Sequence, residues 1–308
     1  MKQIISTFAA HISFLRPLLL IPIWTPALLG FWSGGGKDGI RGQWEVLLLT
    51  TLLGISIYGL NQLFDEEGDR LNKKNLPIAL GYVSRKMGKF IIFTAFLGAL
   101  LEALSINLAI TAITMVALLL GIAYSAPPWR FKDRAIPGLV SNAFGHGFII
   151  YFLGYAIAFS LGKNTIWDWM VILRAASYAL AYGAVYLFTT VPDTRGDSRV
   201  GKNTFAVKFG ERKTMAIAII GVFLTGVFGL VIHENNLFLT AIVSLPFYLA
   251  AIAKKEITPR LIVRANKIAV LTLAILTCFY LQAFIVPVFT AIVFATLYNR
   301  LHLGVKYP

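Results

Sequence analysis

The chain predicts an all-α, polytopic membrane bundle of about nine transmembrane helices, forming one domain over residues 1–308. Three observations carry this. Of its 308 residues 57% are hydrophobic and 14% charged, whereas a soluble domain carries about 25% charged residues. Apolar runs of about 20 residues, the length that crosses a bilayer core, recur from end to end. Lysine and arginine gather in alternate loops: with the N-terminus placed in the cytoplasm, 22 of the 28 fall inside, as the positive-inside bias requires.

The spans are expected at 17–34, 44–64, 89–106, 108–125, 137–160, 168–190, 214–232, 236–253 and 267–290. Ahead of the first lie Lys2, His11 and Arg16, without a small-residue cleavage site, so no cleavable signal is expected. The second ends in an acid-rich stretch. The loop between the fourth and fifth holds Tyr124-Ser125-Ala126-Pro127-Pro128-Trp129-Arg130-Phe131-Lys132, whose prolines restrict where the cations point. The sixth carries Tyr178, Tyr182 and Tyr186 at steps of four, one helical stripe. Arg174, near its outer end, is expected to snorkel to the interface. The seventh has Gly221, Gly226 and Gly229, which permit close helix contact. The ninth is long and contains Pro287, so a kink or tilt is expected.

Composition excludes several functions. A single cysteine, Cys278, rules out an intrachain disulfide, and the four histidines are scattered, which argues against a zinc or haem site. The net charge of +14 fits loops that meet anionic lipid. No basic segment stands apart from the spans, so no nucleic-acid partner is expected.

The chemistry concentrates in two stretches that hold six of the 14 acidic residues. Asn61 in the last turn of the second span and Asp65 and Asp69 beyond it stand at steps of four, a spacing that stacks them on one helical face with Tyr58. Asp193 and Asp197 repeat the step after the sixth span. Both stretches fall on the same, cytoplasmic side. Their separation of four helices hints at two related halves, with a site between them. Acids at a membrane boundary are costly and suggest a site. Paired carboxylates are hard oxygen ligands that hold Mg2+ while leaving positions for phosphate and water. Glu66 and Glu67 point to other faces. Lys73, Lys74, Arg130, Lys132 and Lys202 stand close by, where cations can meet the remaining phosphate oxygens. The positive-inside bias alone also accounts for cytoplasmic cations. The tyrosine stripe either lines an apolar tunnel that stabilises a carbocation or packs helices.

These residues resemble the UbiA superfamily of intramembrane prenyltransferases. Asn61-x-x-x-Asp65-x-x-x-Asp69 with Asp69-Arg70-Leu71-Asn72-Lys73-Lys74-Asn75-Leu76-Pro77-Ile78-Ala79-Leu80-Gly81 is similar to the first family signature. Asp193-x-x-x-Asp197, continuing to Gly201-Lys202-Asn203-Thr204, is similar to the second. The resemblance spans the whole chain. It implies that Asn61, Asp65, Asp69, Asp193 and Asp197 bind two Mg2+ ions holding a prenyl diphosphate. The four aspartates are then the catalytic set. Tyr124, Arg130, Lys132, Lys74, Lys202, Tyr182 and Tyr186 line the substrate, and a lipid-facing cavity takes the isoprenoid tail.

Many members have Arg and Ser where this chain has Leu76 and Leu80. Asn61-Gln62 and Leu76-Pro77 resemble homogentisate prenyltransferases, whereas Tyr124-Ser125-Ala126-Pro127-Pro128 resembles chlorophyll synthases. The expected acceptor is an aromatic acid or quinone precursor of the 4-hydroxybenzoate, homogentisate or dihydroxynaphthoate type. An ether lipid, a porphyrin or a carotenoid is the alternative. From another class, a secondary transporter for an organic anion also fits nine spans. A non-catalytic scaffold leaves the paired aspartates without a task. The expected location is the plasma membrane of a prokaryote.

Overall fold

The computed structural model describes residues 2–36, 40–71, 75–162 and 168–302. Among them the chain is almost wholly helical, with one isolated bridge between Arg134 and Asn203 in place of a sheet. Ten helical segments are long and apolar enough to cross a membrane. Their outward faces are as apolar as the interior: Phe90, Phe93, Leu119, Phe223 and Phe279 are all exposed. An apolar belt of that extent belongs against lipid.

Helix α1 (Lys2–Phe14) leads into α2 (Pro17–Ser33). They break at Arg16, whose φ of 55° is left-handed; the proline after it disfavours the right-handed region there and starts the next helix. Helix α3 (Ile40–Leu71) has 32 residues, about 48 Å at 1.5 Å per residue. That exceeds a hydrocarbon core of about 30 Å, so its last turns carry the first acid motif towards the interface. Helices α4 (Arg85–Ile106) and α5 (Leu108–Ser125) form a hairpin capped by the Ser84 and Asn107 side chains.

Helix α6 (Ala135–Asn142) continues through a π-helical turn (Ala143–Ile149) into α7 (Ile150–Ser160). Next come α8 (Met170–Thr190), the short α9 (Thr194–Arg199) and α10 (Phe205–Phe209), then α11 (Glu211–Val231) and α12 (Asn235–Ala253). As expected, Gly221 lets α11 approach Ala184 of α8, while Gly226 and Gly229 lie against α12.

The single ninth span expected at 267–290 is two helices, α13 (Pro259–Tyr280) and α14 (Ile285–His302), separated by a 3-10 turn. Pro287 is the cause of the difference. It sits in the first turn of α14, where its missing N–H has no intrahelical bond to lose, so it opens a helix rather than kinking one. Helix α14 packs along α2 and reaches α1, where Tyr298 hydrogen-bonds Ser13.

Helix α2 is the centre of the bundle and packs against α3, α7, α8, α13 and α14. Its contact with α7 is backbone on backbone. A Cβ on Gly154 would lie 1.8 Å from the Ala27 carbonyl oxygen, and one on Gly30 would lie 1.9 Å from that of Tyr151. Gly154→Val therefore forces two backbones apart. The expected loss exceeds the roughly 1–3 kcal/mol of ordinary overpacking, read as a lowered unfolding midpoint in detergent. A substitution that leaves the midpoint unchanged contradicts this packing.

Pro26 within α2 has no N–H to give to the carbonyl of Pro22, and the Tyr182 hydroxyl of α8 donates to that oxygen instead. A helix interruption thus becomes an interhelical hydrogen bond.

Candidate active site

The carboxylates and cations meet at one end of the bundle. Asp65, near the end of α3, keeps 12% side-chain exposure and forms ion pairs with two lysines: Lys132 Nζ at 2.9 Å and Lys202 Nζ at 3.2 Å. Lys132 comes from the short turn Phe131–Asp133 after α5 and has 5% side-chain exposure. Lys202 follows α9. Its ammonium also lies 3.8 Å from Asp133 Oδ1 and 3.8 Å from Asp197 Oδ1. Three carboxylates from three separate segments therefore surround one ammonium.

Local backbone chemistry fixes this arrangement. The Lys202 N–H donates to the Asp197 carbonyl, and the Asn203 N–H donates to the Asp133 carbonyl. The two loops are thereby tied together. Gly201, with φ +73° and nothing near its Cβ direction, supplies the left-handed turn that brings Lys202 back over Asp197. Burial pushes the Lys132 ammonium below its ordinary pKa, with Asp65 opposing. At Lys202 burial also disfavours the charge, but Asp65, Asp197 and Asp133 outweigh it and raise the pKa. Both effects follow from competition between desolvation and paired charge.

The other expected residues fall around this centre. Asn61 is half-buried on the Asp65 stripe, and Asp69 is buried beyond it. Asp193 is half-buried at the start of α9, and its carbonyl accepts from the Asp197 N–H. Arg130 turns onto Asp133 rather than Asp65. Tyr124 hydrogen-bonds both Tyr186 and Asn142. Tyr186 lies so close to α6 that a Cβ on Gly138 would meet its hydroxyl at 2.4 Å. Tyr182 sits deeper, with its ring stacked on His146. Lys73 and Lys74 lie outside the described residues. Glu66 points away from the centre, as expected, and pairs with Arg70 and Arg85.

Two residues join the site that the motifs did not name. Arg16 faces Tyr58, Asp69 and Asp65 from the break between α1 and α2. A cation directly before a proline inside an apolar run was the signal available for it. Asp133 directly follows the expected Lys132, and its spacing of three from Arg130 was the signal available for it.

Arg174 does not snorkel. It is ion-paired at 3.1 Å to both Asp168 and Glu234 and donates to Ser33 at 3.1 Å, because two acids and a hydroxyl converge on it from three segments. Tyr178 joins this outer cluster through Glu234. The tyrosine stripe is thus divided along its length: Tyr186 in the charged site, Tyr182 deeper in the bundle, Tyr178 at the opposite end.

Among the described residues no three acidic, histidine or cysteine side chains stand close enough to hold a metal by themselves. The donor set nonetheless fits Mg2+, which binds through one or two carboxylates and completes its shell with water and substrate phosphates. Positive charge is already stabilised at the place where Asp65, Asp133 and Asp197 enclose Lys202.

The fold and the site define a helical membrane protein with its charged centre at one end of the bundle. Residues 23–260 match the UbiA prenyltransferase family, and this chain belongs to that family as a multi-pass membrane prenyltransferase. It is 28% identical over 233 residues to homogentisate phytyltransferase of Synechocystis sp., covering 70% of this chain and 73% of that one. It is 34% identical over 181 residues to 2-acyl-4-prenylphloroglucinol 6-prenyltransferase of Humulus lupulus, covering 58% of this chain and 44% of the relative. A UbiA homolog from Archaeoglobus fulgidus bound to GPP and Mg2+ superposes with a TM-score of 0.69 at 19% identity, covering 90% of this chain and 99% of the homolog. That likeness shows the fold.

Proposed function

We propose that this protein transfers a prenyl group from a Mg2+-bound prenyl diphosphate to a small phenolic acceptor of the homogentisate or acylphloroglucinol type. The observation that carries the reading is the three-carboxylate, two-lysine centre around Asp65, in a chain whose similar relatives are named for those acceptors. Asp65, Asp69, Asp193 and Asp197, with Asn61, are the residues that would hold two Mg2+ ions. Bound there, the metal neutralises the diphosphate and makes it a better leaving group.

The chain's own groups supply the rest. Lys132 and Lys202 are placed to take up diphosphate oxygens as charge develops on them. The C1–O bond of the prenyl chain breaks, and its electron pair leaves with the diphosphate. The resulting allylic cation is attacked by a π pair of the acceptor ring, forming the C–C bond. Loss of the proton from that ring carbon restores aromaticity. The surrounding apolar helices keep water from capturing the cation.

The centre lies at the cytoplasmic face. With ten spans, Arg300 at the end of α14 joins the cations of that side, which extends the positive-inside bias.

The test is a competition among homogentisate, an acylphloroglucinol, 4-hydroxybenzoate and dihydroxynaphthoate, with geranylgeranyl diphosphate, Mg2+ and the purified protein in lipid. A prenylated product from homogentisate or the acylphloroglucinol is expected, read by mass. Product from 4-hydroxybenzoate or dihydroxynaphthoate alone would overturn the acceptor assignment.

A further inference from the structure

Deeper in the bundle than Asp65 lies a polar cluster that the transfer chemistry above does not use. His146 stands in the π-helical turn Ala143–Ile149. Such turns interrupt the regular hydrogen-bond ladder and are frequent at functional sites. Here one ring nitrogen of His146 bonds the Asn142 backbone oxygen. The ring's Nε2 lies 3.0 Å from the Tyr58 hydroxyl, and that hydroxyl also lies 3.0 Å from the Leu19 carbonyl oxygen. The imidazole lies nearly parallel to the Tyr58 and Tyr182 rings, with centroids 5.8 and 6.4 Å away and interplanar angles of 24° and 13°. The turn is held in place where Gly147 meets α8: a Cβ there would lie 2.4 Å from the Ala179 Cα.

The hydrogen-bond inventory of this cluster is unbalanced. A neutral imidazole has one proton and one bare nitrogen, and a tyrosine hydroxyl has one proton. The acceptors are the Leu19 carbonyl, the Asn142 carbonyl and the bare ring nitrogen. Among these hydrogen bonds three acceptors share two protons, with the Arg16 guanidinium facing Tyr58 as a charge, so one acceptor can take a further donor. Tyr58 and His146 are both half-buried although helices α2, α5 and α7 pack against the segments that carry them, so part of each side chain stays accessible within the bundle.

Helix α3 carries both this cluster and the charged centre. Tyr58 shares the helical face of Asn61, Asp65 and Asp69, seven residues and about 10 Å below Asp65. A hydrogen-bonded path runs from Tyr186 through Tyr124 to Asn142, and from Asn142 to His146 and Tyr58. A distance of about 10 Å leaves room for one aromatic ring beneath a diphosphate held at Asp65.

We propose that His146 and Tyr58 form the pocket that recognises a phenolic hydroxyl of the aromatic acceptor. This rests on the transferase reading above. The hydroxyl supplies the donor that the cluster lacks, and the flat Tyr58, His146 and Tyr182 rings suit an aromatic face. His146 and Tyr58 then determine which acceptors bind, while the prenyl diphosphate is held elsewhere.

The test measures binding, so it does not depend on turnover. Homogentisate is titrated into the lipid-reconstituted protein with Mg2+ and a thiolodiphosphate analogue of geranylgeranyl diphosphate. The two monohydroxy analogues of homogentisate, each lacking one ring hydroxyl, are titrated alongside. His146→Phe keeps a flat ring but removes the acceptor nitrogen, and Tyr58→Phe removes the hydroxyl. Each is expected to weaken homogentisate about 10- to 100-fold and to leave the affinity for the diphosphate analogue unchanged. Against one monohydroxy analogue, the one without the recognised hydroxyl, wild type and His146→Phe should differ by less than about 2-fold. His146→Gln, which keeps an acceptor, should recover part of the affinity and serves if the phenylalanine variant fails to fold. Equal weakening towards all three phenols, or weakening only towards the diphosphate analogue, overturns the proposal and makes the cluster a packing feature. A wild type that binds homogentisate but forms no product with labelled geranylgeranyl diphosphate overturns the transfer reading instead.

Discussion

Asp65→Asn should lower prenyl transfer by about 100-fold or more, the scale seen when one preorganised charge-stabilising group is removed. Asp65 pairs with both the buried Lys132, at 2.9 Å, and the half-buried Lys202, at 3.2 Å. The substitution also strands Lys132, whose side chain is 5% exposed. Breaking a buried pair from one side costs about 3–5 kcal/mol, less whatever is recovered if the lysine sheds its proton. The unfolding midpoint should therefore fall together with activity. Adding Lys132→Met to Asp65→Asn should restore stability without restoring transfer, because it removes the unpaired charge but supplies no ligand. A single variant that keeps full activity removes Asp65 from the reaction. A double variant no more stable than the single one removes the pair from the stability account.

Lys202→Met should separate metal binding from turnover. In this structure its ammonium lies among Asp65, Asp133 and Asp197, in the region a divalent cation would use. Removing a competing cation leaves the carboxylates more negative and should tighten Mn2+ or Mg2+ binding measured without substrate. Transfer should nevertheless fall about 10- to 100-fold, since a charge-assisted partner of the diphosphate is gone. Lys202→Arg keeps the charge and should leave metal affinity near that of wild type. Weaker metal binding in Lys202→Met would mean that the lysine organises the carboxylates rather than competing for them.

How much of this was legible in the sequence differs by element. The acid motifs were readable because steps of four fix a common helical face whatever the tertiary structure. Lys132 and Lys202 were readable as candidates, but their distinct roles were not. Lys132 is sequestered against Asp65, whereas Lys202 is shared among three carboxylates, a difference set by how two loops are tied through Asn203 and Asp133. Arg16 was missed because its partners lie on another segment, and no local period points across a bundle; Asp133 stands at i+3 from Arg130, a local spacing that carried no weight beside the paired aspartates. Arg174 was misjudged because two of its partners, Glu234 ahead of α12 and Ser33 at the end of α2, reach it from distant parts of the chain.

The tenth helix was missed on a rule applied at the wrong place. A proline inside a long apolar run reads as a kink, but at the first turn of a helix it is a start. His146 gave no sequence signal at all. One histidine in an apolar span is ordinarily a packed one, and the π-helical turn that exposes the Asn142 carbonyl to it is visible only in the folded chain.

The central claim is that the centre around Asp65 holds a Mg2+–prenyl diphosphate complex. The most direct measurement is a structure of the protein in lipid with Mg2+ and a geranylgeranyl thiolodiphosphate. The account predicts the diphosphate between Asp65 and Asp197, metal density against both acid motifs, and Lys202 moved off Asp65 onto a phosphate oxygen. A diphosphate bound away from these carboxylates, with the Asp65 ion pairs to Lys132 and Lys202 intact, would contradict it.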